Sequence, residues 1–386
     1  MRRRILPILG LISIGFWPDP GWTGSSGFRV VPMDGKGFGV VAEKTFDAGD
    51  LVYQEAPLIM WNVEDATKTQ LLNLVAAIAV LLSVFLLVAF NAVGFTPLPL
   101  AAAAAFALRR RELGMPEELQ EQYEQLSSEE QDQLKGLSDC SSGEKTMMGI
   151  LRTNGFSRGA SSSSSTLLLC PVLARLNHSC SPNCQQSWDE ESGQEKLYAM
   201  TKIQPGEELC ITYCDLREPR DKRREVLRAK YGFLCSCPAC CHTDIETSDA
   251  RRTEIARLQE NLAAAQPADG VEMAKRVLQL LDDEGVPDLM LRGLACTEAV
   301  RHCETLSDPQ QARSWAEKAY DFFSKARGPT SEIAQDAKAL DWALDSQMSD
   351  DSSRMSQLEV FTCHVPKPGE GRTSGRKKPE EFELLH

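Results

Sequence analysis

The sequence predicts an α+β chain, and three observations predict it. Short runs of β-branched and aromatic residues, bounded by glycine-containing turns, fill 28–61 and recur at 197–213. Apolar residues return at helical spacing through 251–347. Between these regions, cysteines gather at the short spacings of metal ligands. A length of 386 residues is enough for two or three domains with their own cores.

The elements follow in order. Phe28-Arg29-Val30-Val31 reads as a strand, a glycine turn over 35–39 follows it, and Val40-Val41-Ala42 resumes the strand pattern. Asp47-Ala48-Gly49-Asp50 is a turn ahead of the strand Leu51-Val52-Tyr53-Gln54-Glu55. Residues 117–135, rich in Glu, Gln and Leu, read as strongly helical, with Pro116 suited to the first turn. The serines at 161–165 predict a loose loop. Residues 197–200 and 210–213 predict short strands on either side of a turn at Gln204-Pro205-Gly206.

Beyond Cys241, residues 242–250 read as a linker. Three apolar stripes then predict several antiparallel helices: Ile255, Leu258, Leu262; Val277, Leu280, Leu281; and Trp315, Ala319, Phe322, Phe323. Such a stack would be similar to tetratricopeptide arrays, although no repeat of about 34 residues is visible. Residues 367–378, rich in Gly, Pro, Lys and Arg, predict a disordered tail.

A net charge of −13 argues against direct nucleic-acid binding. Thirteen cysteines, an odd number clustered mid-chain, argue against a full disulfide framework and for metal ligands in a reducing compartment. Two segments complicate that picture. Arg2-Arg3-Arg4 followed by the apolar 5–17 has the form of a leader, but only Gly24-Ser25-Ser26-Gly27 follows where a cleavage site would lie. The alternative is an untethered N-terminal extension. Residues 69–108 carry no charge and are flanked by Lys68 and Arg109-Arg110-Arg111. The first half is long enough to span a bilayer, yet a single pass would part Gly37 from Tyr213. A membrane hairpin, buried helices and a gene-model artefact such as a retained intron remain as readings. The pattern favours the last two over membrane association.

Several residues have types suited to chemistry. Cys235-x-Cys237-x-x-Cys240 offers three thiolates on a tight turn, one short of tetrahedral zinc. Cys241 is adjacent and could compete as a ligand; Cys184 and His242 are weaker candidates. Lys36-Gly37-Phe38-Gly39 follows a strand, and glycine there lets backbone approach a ligand closely. A lone Gly-x-Gly is usually only a turn. Likewise Asn177-His178, Phe233 and Tyr213 taken singly are consistent with ordinary packing.

Taken in order, three segments say more. They are Asn177-His178-Ser179-Cys180-Ser181-Pro182-Asn183, then Gly206-Glu207-Glu208-Leu209-Cys210-Ile211-Thr212-Tyr213, then Tyr231-Gly232-Phe233-Leu234-Cys235-Ser236-Cys237-Pro238-Ala239-Cys240. Together they resemble the signature of SET-domain protein methyltransferases, including their zinc-binding post-SET cysteines. The resemblance covers about 28–61 and 147–241. The insert and the helical C-terminal part look like the SET- and MYND-domain (SMYD-like) group. With no cysteine or histidine before Asp139, the MYND zinc finger itself is missing.

The resemblance implies a SET-domain β-clip fold of short strands with a helical insert and a zinc-binding post-SET segment, followed by an all-α C-terminal domain. Its layout would be an N-terminal extension 1–27, SET strands 28–61, an insert 62–146, a SET core 147–215, a post-SET segment 216–241, helices 251–347 and a tail 348–386. It implies one structural zinc on Cys180, Cys235, Cys237 and Cys240. It implies that Lys36, Gly37, Phe38, Asn154, Asn177, His178, Tyr213 and Phe233 bind S-adenosylmethionine, with Phe233 covering the adenine, and that Tyr213 is catalytic. Glu207 and Glu208 are read as turn and surface charges.

Methyl transfer to lysine is an in-line displacement from a sulfonium to a neutral amine. A free lysine, with pKa about 10.4, is mostly protonated at neutral pH. An apolar channel beside a cation favours the free amine by desolvation and repulsion, and most of the rate comes from positioning. The expected function is therefore S-adenosylmethionine-dependent methylation of a protein lysine, histone or non-histone, by a monomer. The helical C-terminal part would wall the substrate cleft. The alternative is a catalytically inactive adaptor that binds proteins through those helices. A thiol-rich zinc site suits the cytoplasm or nucleus, while a genuine leader or membrane segment would point to a membrane or organelle.

Overall fold

The computed structural model describes residues 27–62, 116–141, 143–158 and 166–349. The expectations for 1–17, 69–108, 161–165 and 367–378 lie outside the described residues. Four strands open the chain: β1 (Phe28–Met33), β2 (Gly37–Ala42), β3 (Leu51–Glu55) and β4 (Ile59–Asn62). Three short helices follow, α1 (Glu117–Gln125), α2 (Ser128–Lys135) and α3 (Met147–Asn154). The remaining strands are β5 (Phe156–Arg158), β6 (Thr166–Leu169), β7 (Asn177–His178), β8 (Cys184–Asp189), β9 (Gln194–Ala199) and β10 (Glu208–Ile211). Helix α4 (Arg220–Tyr231) leads into the cysteine segment.

The strands form three small sheets, ordered β1-β2-β10-β7, β3-β9-β8 and β4-β6-β5. The first one builds the site. Antiparallel pairing sets Glu208 opposite Val41 and Leu209 opposite Val40. On its other edge β10 runs parallel to β7, with Cys210 opposite Asn177 and Ile211 opposite His178. Three segments far apart in sequence thus meet across one strand.

Five helices make up the C-terminal region: α5 (Ile245–Leu262), α6 (Pro267–Asp283), α7 (Leu289–Thr305), α8 (Pro309–Arg327) and α9 (Glu332–Ser349). Their starts are written locally. Asp244, Asp288 and Asp308 each accept a hydrogen bond from a backbone N–H three residues on, which stabilises each helix by about 1 kcal/mol. Pro267 and Pro309 occupy the first turns of α6 and α8, where a missing N–H costs nothing. The predicted stripes are buried, with Ile255, Leu258, Leu262, Val277, Leu280, Leu281, Trp315, Ala319 and Phe323 in one core. Cys180, Cys235 and Cys240 belong to that same core. A second core of Val40, Val52, Leu197, Leu209 and Ile211 fills the space between the sheets, and Tyr213 packs against both.

Four local expectations are corrected. The first turn is tighter than 35–39, because Gly37 and Gly39 belong to β2 and face Met33 and Val31 across the hairpin. Residues 117–135 are helical as expected and divide into two helices, but Pro116 lies outside the first turn, just before the first helical residue. Ser127 and Glu130 make a reciprocal capping box that starts α2 and ends the first run at Leu126. The linker predicted at 242–250 shrinks to three residues before α5, since Asp244 caps that helix. The strand expected at 210–213 ends at Ile211, leaving Thr212 and Tyr213 beyond the sheet. Among the described residues, no helix is long and apolar enough to cross a membrane.

Candidate active site and metal centre

The predicted donor-side residues other than Asn154 gather around the β2–β10–β7 strands. Gly39 has no side chain where a Cβ would lie 2.8 Å from Asn177 Nδ2 and 2.3 Å from Met33 Sδ. That gap lets the Asn177 amide cross from β7 and donate to the Phe38 carbonyl at 3.0 Å and to Glu208 Oε1 at 2.8 Å. Glu208 also takes the Lys36 ammonium on its other oxygen, at 2.7 Å. Burial pulls the Lys36 pKa down, but the Glu208 hydrogen bond and charge outweigh it, so the net shift is upward. Gly37 holds φ +75°, a left-handed conformation open to glycine at no steric cost. The Phe38 ring lies under the Arg175 guanidinium, 5.0 Å from it.

Four rings close the other side. Tyr213 lies 4.7 Å from Tyr231 and 5.4 Å from His178, and Phe233 lies 6.2 Å from His178 and 6.5 Å from Tyr231. The Tyr213 hydroxyl donates to the Leu176 carbonyl. Burial is the main cause pushing the Tyr213 pKa well above the usual phenol value, and nearby acidic groups add to it. The phenol is therefore neutral at physiological pH. Asn154 stands apart from these contacts: its amide donates to the carbonyls of Ser138 and Ile150, each at 2.7 Å.

The four predicted ligand cysteines come together. The sulfurs of Cys180, Cys235, Cys237 and Cys240 all lie within 4.8 Å of one another. Zinc–sulfur bonds of about 2.3 Å in a tetrahedron need sulfurs just under 4 Å apart, so the donor set fits the metal. Charge supports the same assignment. Arg223 is only 1% exposed, yet its Nε donates to Cys180 Sγ at 3.3 Å and a terminal nitrogen lies 3.9 Å from Cys240 Sγ. Burying a cation costs several kcal/mol unless an anion faces it. Asp249 Oδ1 lies 4.0 Å away, and a set of zinc-bound thiolates, net anionic, would provide a second anion. Arg224 ties down the segment through the carbonyls of Cys235 (3.0 Å) and Cys240 (3.3 Å). Cys241 is exposed and bonds the Ser236 carbonyl, outside the group.

Sequence reasoning missed Glu208, Arg223, Tyr231 and Cys214 as parts of the site. Glu208 reads as a turn charge until the strand register sets it beside Asn177. The apolar face of α4 gives no sign that Arg223 points inward. Cys214 follows Tyr213 directly, and its position next to Cys180 depends on the β7–β10 pairing.

Residues 37–214 match the family model of the SET domain. That stretch is similar to a SET domain. Its curated relatives include the histone-lysine N-methyltransferase set5 of Schizosaccharomyces pombe, 28% identical over 168 residues, which are 41% of this chain and 51% of that one. They also include N-lysine methyltransferase SMYD2 of Homo sapiens, 33% identical over 109 residues (28% of this chain, 24% of that one). A third is protein-lysine N-trimethyltransferase SMYD5 of Homo sapiens, 43% identical over 67 residues (17% and 16%). The matched stretches span about half, or less, of these relatives' lengths. A solved structure, the SET domain of LSMT bound to lysine and AdoHcy, aligns over 89% of this chain and 93% of that one. With 13% identity and a TM-score of 0.29, it adds nothing to the family match.

Proposed function

We propose that the chain is an S-adenosylmethionine-dependent protein-lysine N-methyltransferase, with one structural zinc on Cys180, Cys235, Cys237 and Cys240. The observation that carries this reading is the partly buried phenol of Tyr213, just past the end of β10, whose hydroxyl donates to the Leu176 carbonyl beside the β7–β10 pair. S-adenosylmethionine would supply the methyl group as a sulfonium. Lys36, Gly37, Phe38, Asn177, His178 and Phe233 would hold it, with Asn154 at the margin.

Tyr213 commits its one proton to Leu176, which leaves the oxygen's lone pairs free to accept. The phenol oxygen can therefore orient an incoming amine and polarise the departing methyl. It does not serve as a base, because burial keeps it protonated. The apolar ring wall of Tyr213, Tyr231 and Phe233 disfavours a charged ammonium and so favours the reactive free amine. The substrate class is a lysine of a protein, histone or non-histone, presented as a flexible segment.

The test is a calorimetric titration of zinc-loaded protein with S-adenosylmethionine, followed by methyl transfer to protein mixtures. Phe233→Ala should weaken donor binding by about 2–10-fold, the worth of one stacking contact. Tyr213→Phe should bind donor normally and lose at least about tenfold in turnover. Folded, zinc-loaded protein that binds no donor would replace this reading with the adaptor.

A further inference from the structure

Next to the four-cysteine group lies a fifth thiol. The Cys214 sulfur, the Cys180 sulfur and a ring nitrogen of His178 lie within 4.8 Å of one another. Cys180 is the one sulfur common to both groups. Cys214 is half-buried, whereas Cys180 is fully buried. The Thr212 hydroxyl fixes the turn, donating to the Cys214 carbonyl at 2.7 Å and accepting its N–H at 3.3 Å. A tetrahedral zinc holding four thiolates has no room for a fifth, so Cys214 would stand as an extra thiol beside the metal's ligands.

We propose that Cys214 is an oxidative modification site through which a peroxide opens the zinc centre; the proposal rests on the zinc assignment above. In the first step the Cys214 thiolate attacks hydrogen peroxide. An S–O bond forms, the O–O bond breaks and hydroxide leaves, so sulfur is oxidised to the sulfenic acid and the peroxide oxygen is reduced. In the second step the Cys180 thiolate attacks that sulfur. An S–S bond forms, the S–O bond breaks and a second hydroxide leaves. Both hydroxides take protons from solvent, so two thiolates, one peroxide and two protons give a disulfide and two waters. A zinc held by Cys180, Cys235, Cys237 and Cys240 would thereby lose one of its four ligands.

The side chains are placed for the bond. Cys180 and Cys214 follow the parallel β7–β10 pairing, which the Ser179 N–H extends by donating to the Ile211 carbonyl at 3.0 Å. Their sulfurs lie within 4.8 Å of each other, so side-chain rotation closes most of the gap to the S–S length of about 2.05 Å. Because Tyr213 immediately precedes Cys214, the disulfide would also shift the proposed catalytic phenol.

The test uses full-length protein with its zinc content measured first. Hydrogen peroxide is added, zinc release is followed with a chromogenic chelator, and disulfides are mapped by mass spectrometry after alkylation. The expected result is release of one zinc per chain, a Cys180–Cys214 linked peptide, and re-binding after thiol reduction. Cys214→Ser and Cys214→Ala, checked for an unchanged melting temperature, should release zinc at least about tenfold more slowly. Cys241→Ser should behave as wild type. Release at the wild-type rate from both Cys214 variants, or a linked peptide that leaves out Cys214, overturns the proposal. Protein that retains no metal before peroxide overturns the zinc assignment instead, and the disulfide map then reads the Cys180–Cys214 pairing on its own.

Discussion

His178 and Tyr213 are joined through one imidazole nitrogen: His178 Nδ1 accepts the Tyr213 backbone N–H at 3.0 Å. Because Nδ1 accepts, the proton of the neutral ring sits on Nε2, which lies 3.2 Å from Cys180 Sγ. One side chain thus connects the backbone of the proposed catalytic residue to a proposed zinc ligand.

His178→Ala should therefore impair metal and turnover together. Removing the partner of a metal ligand usually costs about 10–100-fold in affinity. Competition with a chelator of known affinity would measure it. Unchanged zinc retention would show that the Nε2–sulfur contact has no energetic role.

Turnover of a lysine substrate should rise with pH as the amine deprotonates, with no falling limb from Tyr213 below about pH 10. The raised pKa of that phenol carries the sign: burial favours the protonated form, so its ionisation moves away from neutrality. A descending limb near pH 8 that Tyr213→Phe abolishes would contradict this.

Glu195 should limit stability at alkaline pH. It is 3% exposed, its Oε2 has no hydrogen-bond partner among the described residues, and burial, only partly offset by the charge of Arg327, pushes its pKa to about 7. Its folded pKa exceeds the unfolded value, so the fold prefers the neutral acid. Stability is lost as pH rises from about 4.5 through 7, by roughly 3 kcal/mol in all. Glu195→Gln should raise the melting temperature at pH 8 and little at pH 4. Thermal melts across that range decide it.

Gly39→Ala should weaken donor binding more than it lowers stability. A methyl there meets Asn177 Nδ2 at 2.8 Å and the Met33 side chain at 2.3 Å. The Met33 thioether can swing aside, but the Asn177 amide would lose its bonds to Phe38 and Glu208. Calorimetry with S-adenosylmethionine and a thermal melt separate the two effects.

The helical stripes were legible because burial repeats with the helix period, so Ile255, Leu258 and Leu262 announce one face. The cysteine spacing was legible because Cys235, Cys237 and Cys240 are close in sequence. Contacts set by strand register were not. Glu208 meets Asn177 only because β10 runs between β2 and β7, and nothing local to Glu208 encodes that. The helical character of 117–135 was legible from its Glu, Gln and Leu content, but the break inside it was not read, because that content outweighed a local signal, the Ser127–Glu130 capping box. The linker expected at 242–250 failed for a similar reason, since polar residues there also suit a capped first turn.

Arg252, fully buried on α5, pairs with Glu284 at 2.9 Å and also donates to the carbonyls of Leu216 and Cys180. The proposed metal ligands and the C-terminal helices therefore share an interior. A fragment boundary drawn at 241 would cut through a single cooperative unit, and each half would expose apolar surface that the other now covers. Chelating the metal would then be felt in the melting of helices far from it, and exchanging the helical half between related proteins would require carrying the cysteine segment along.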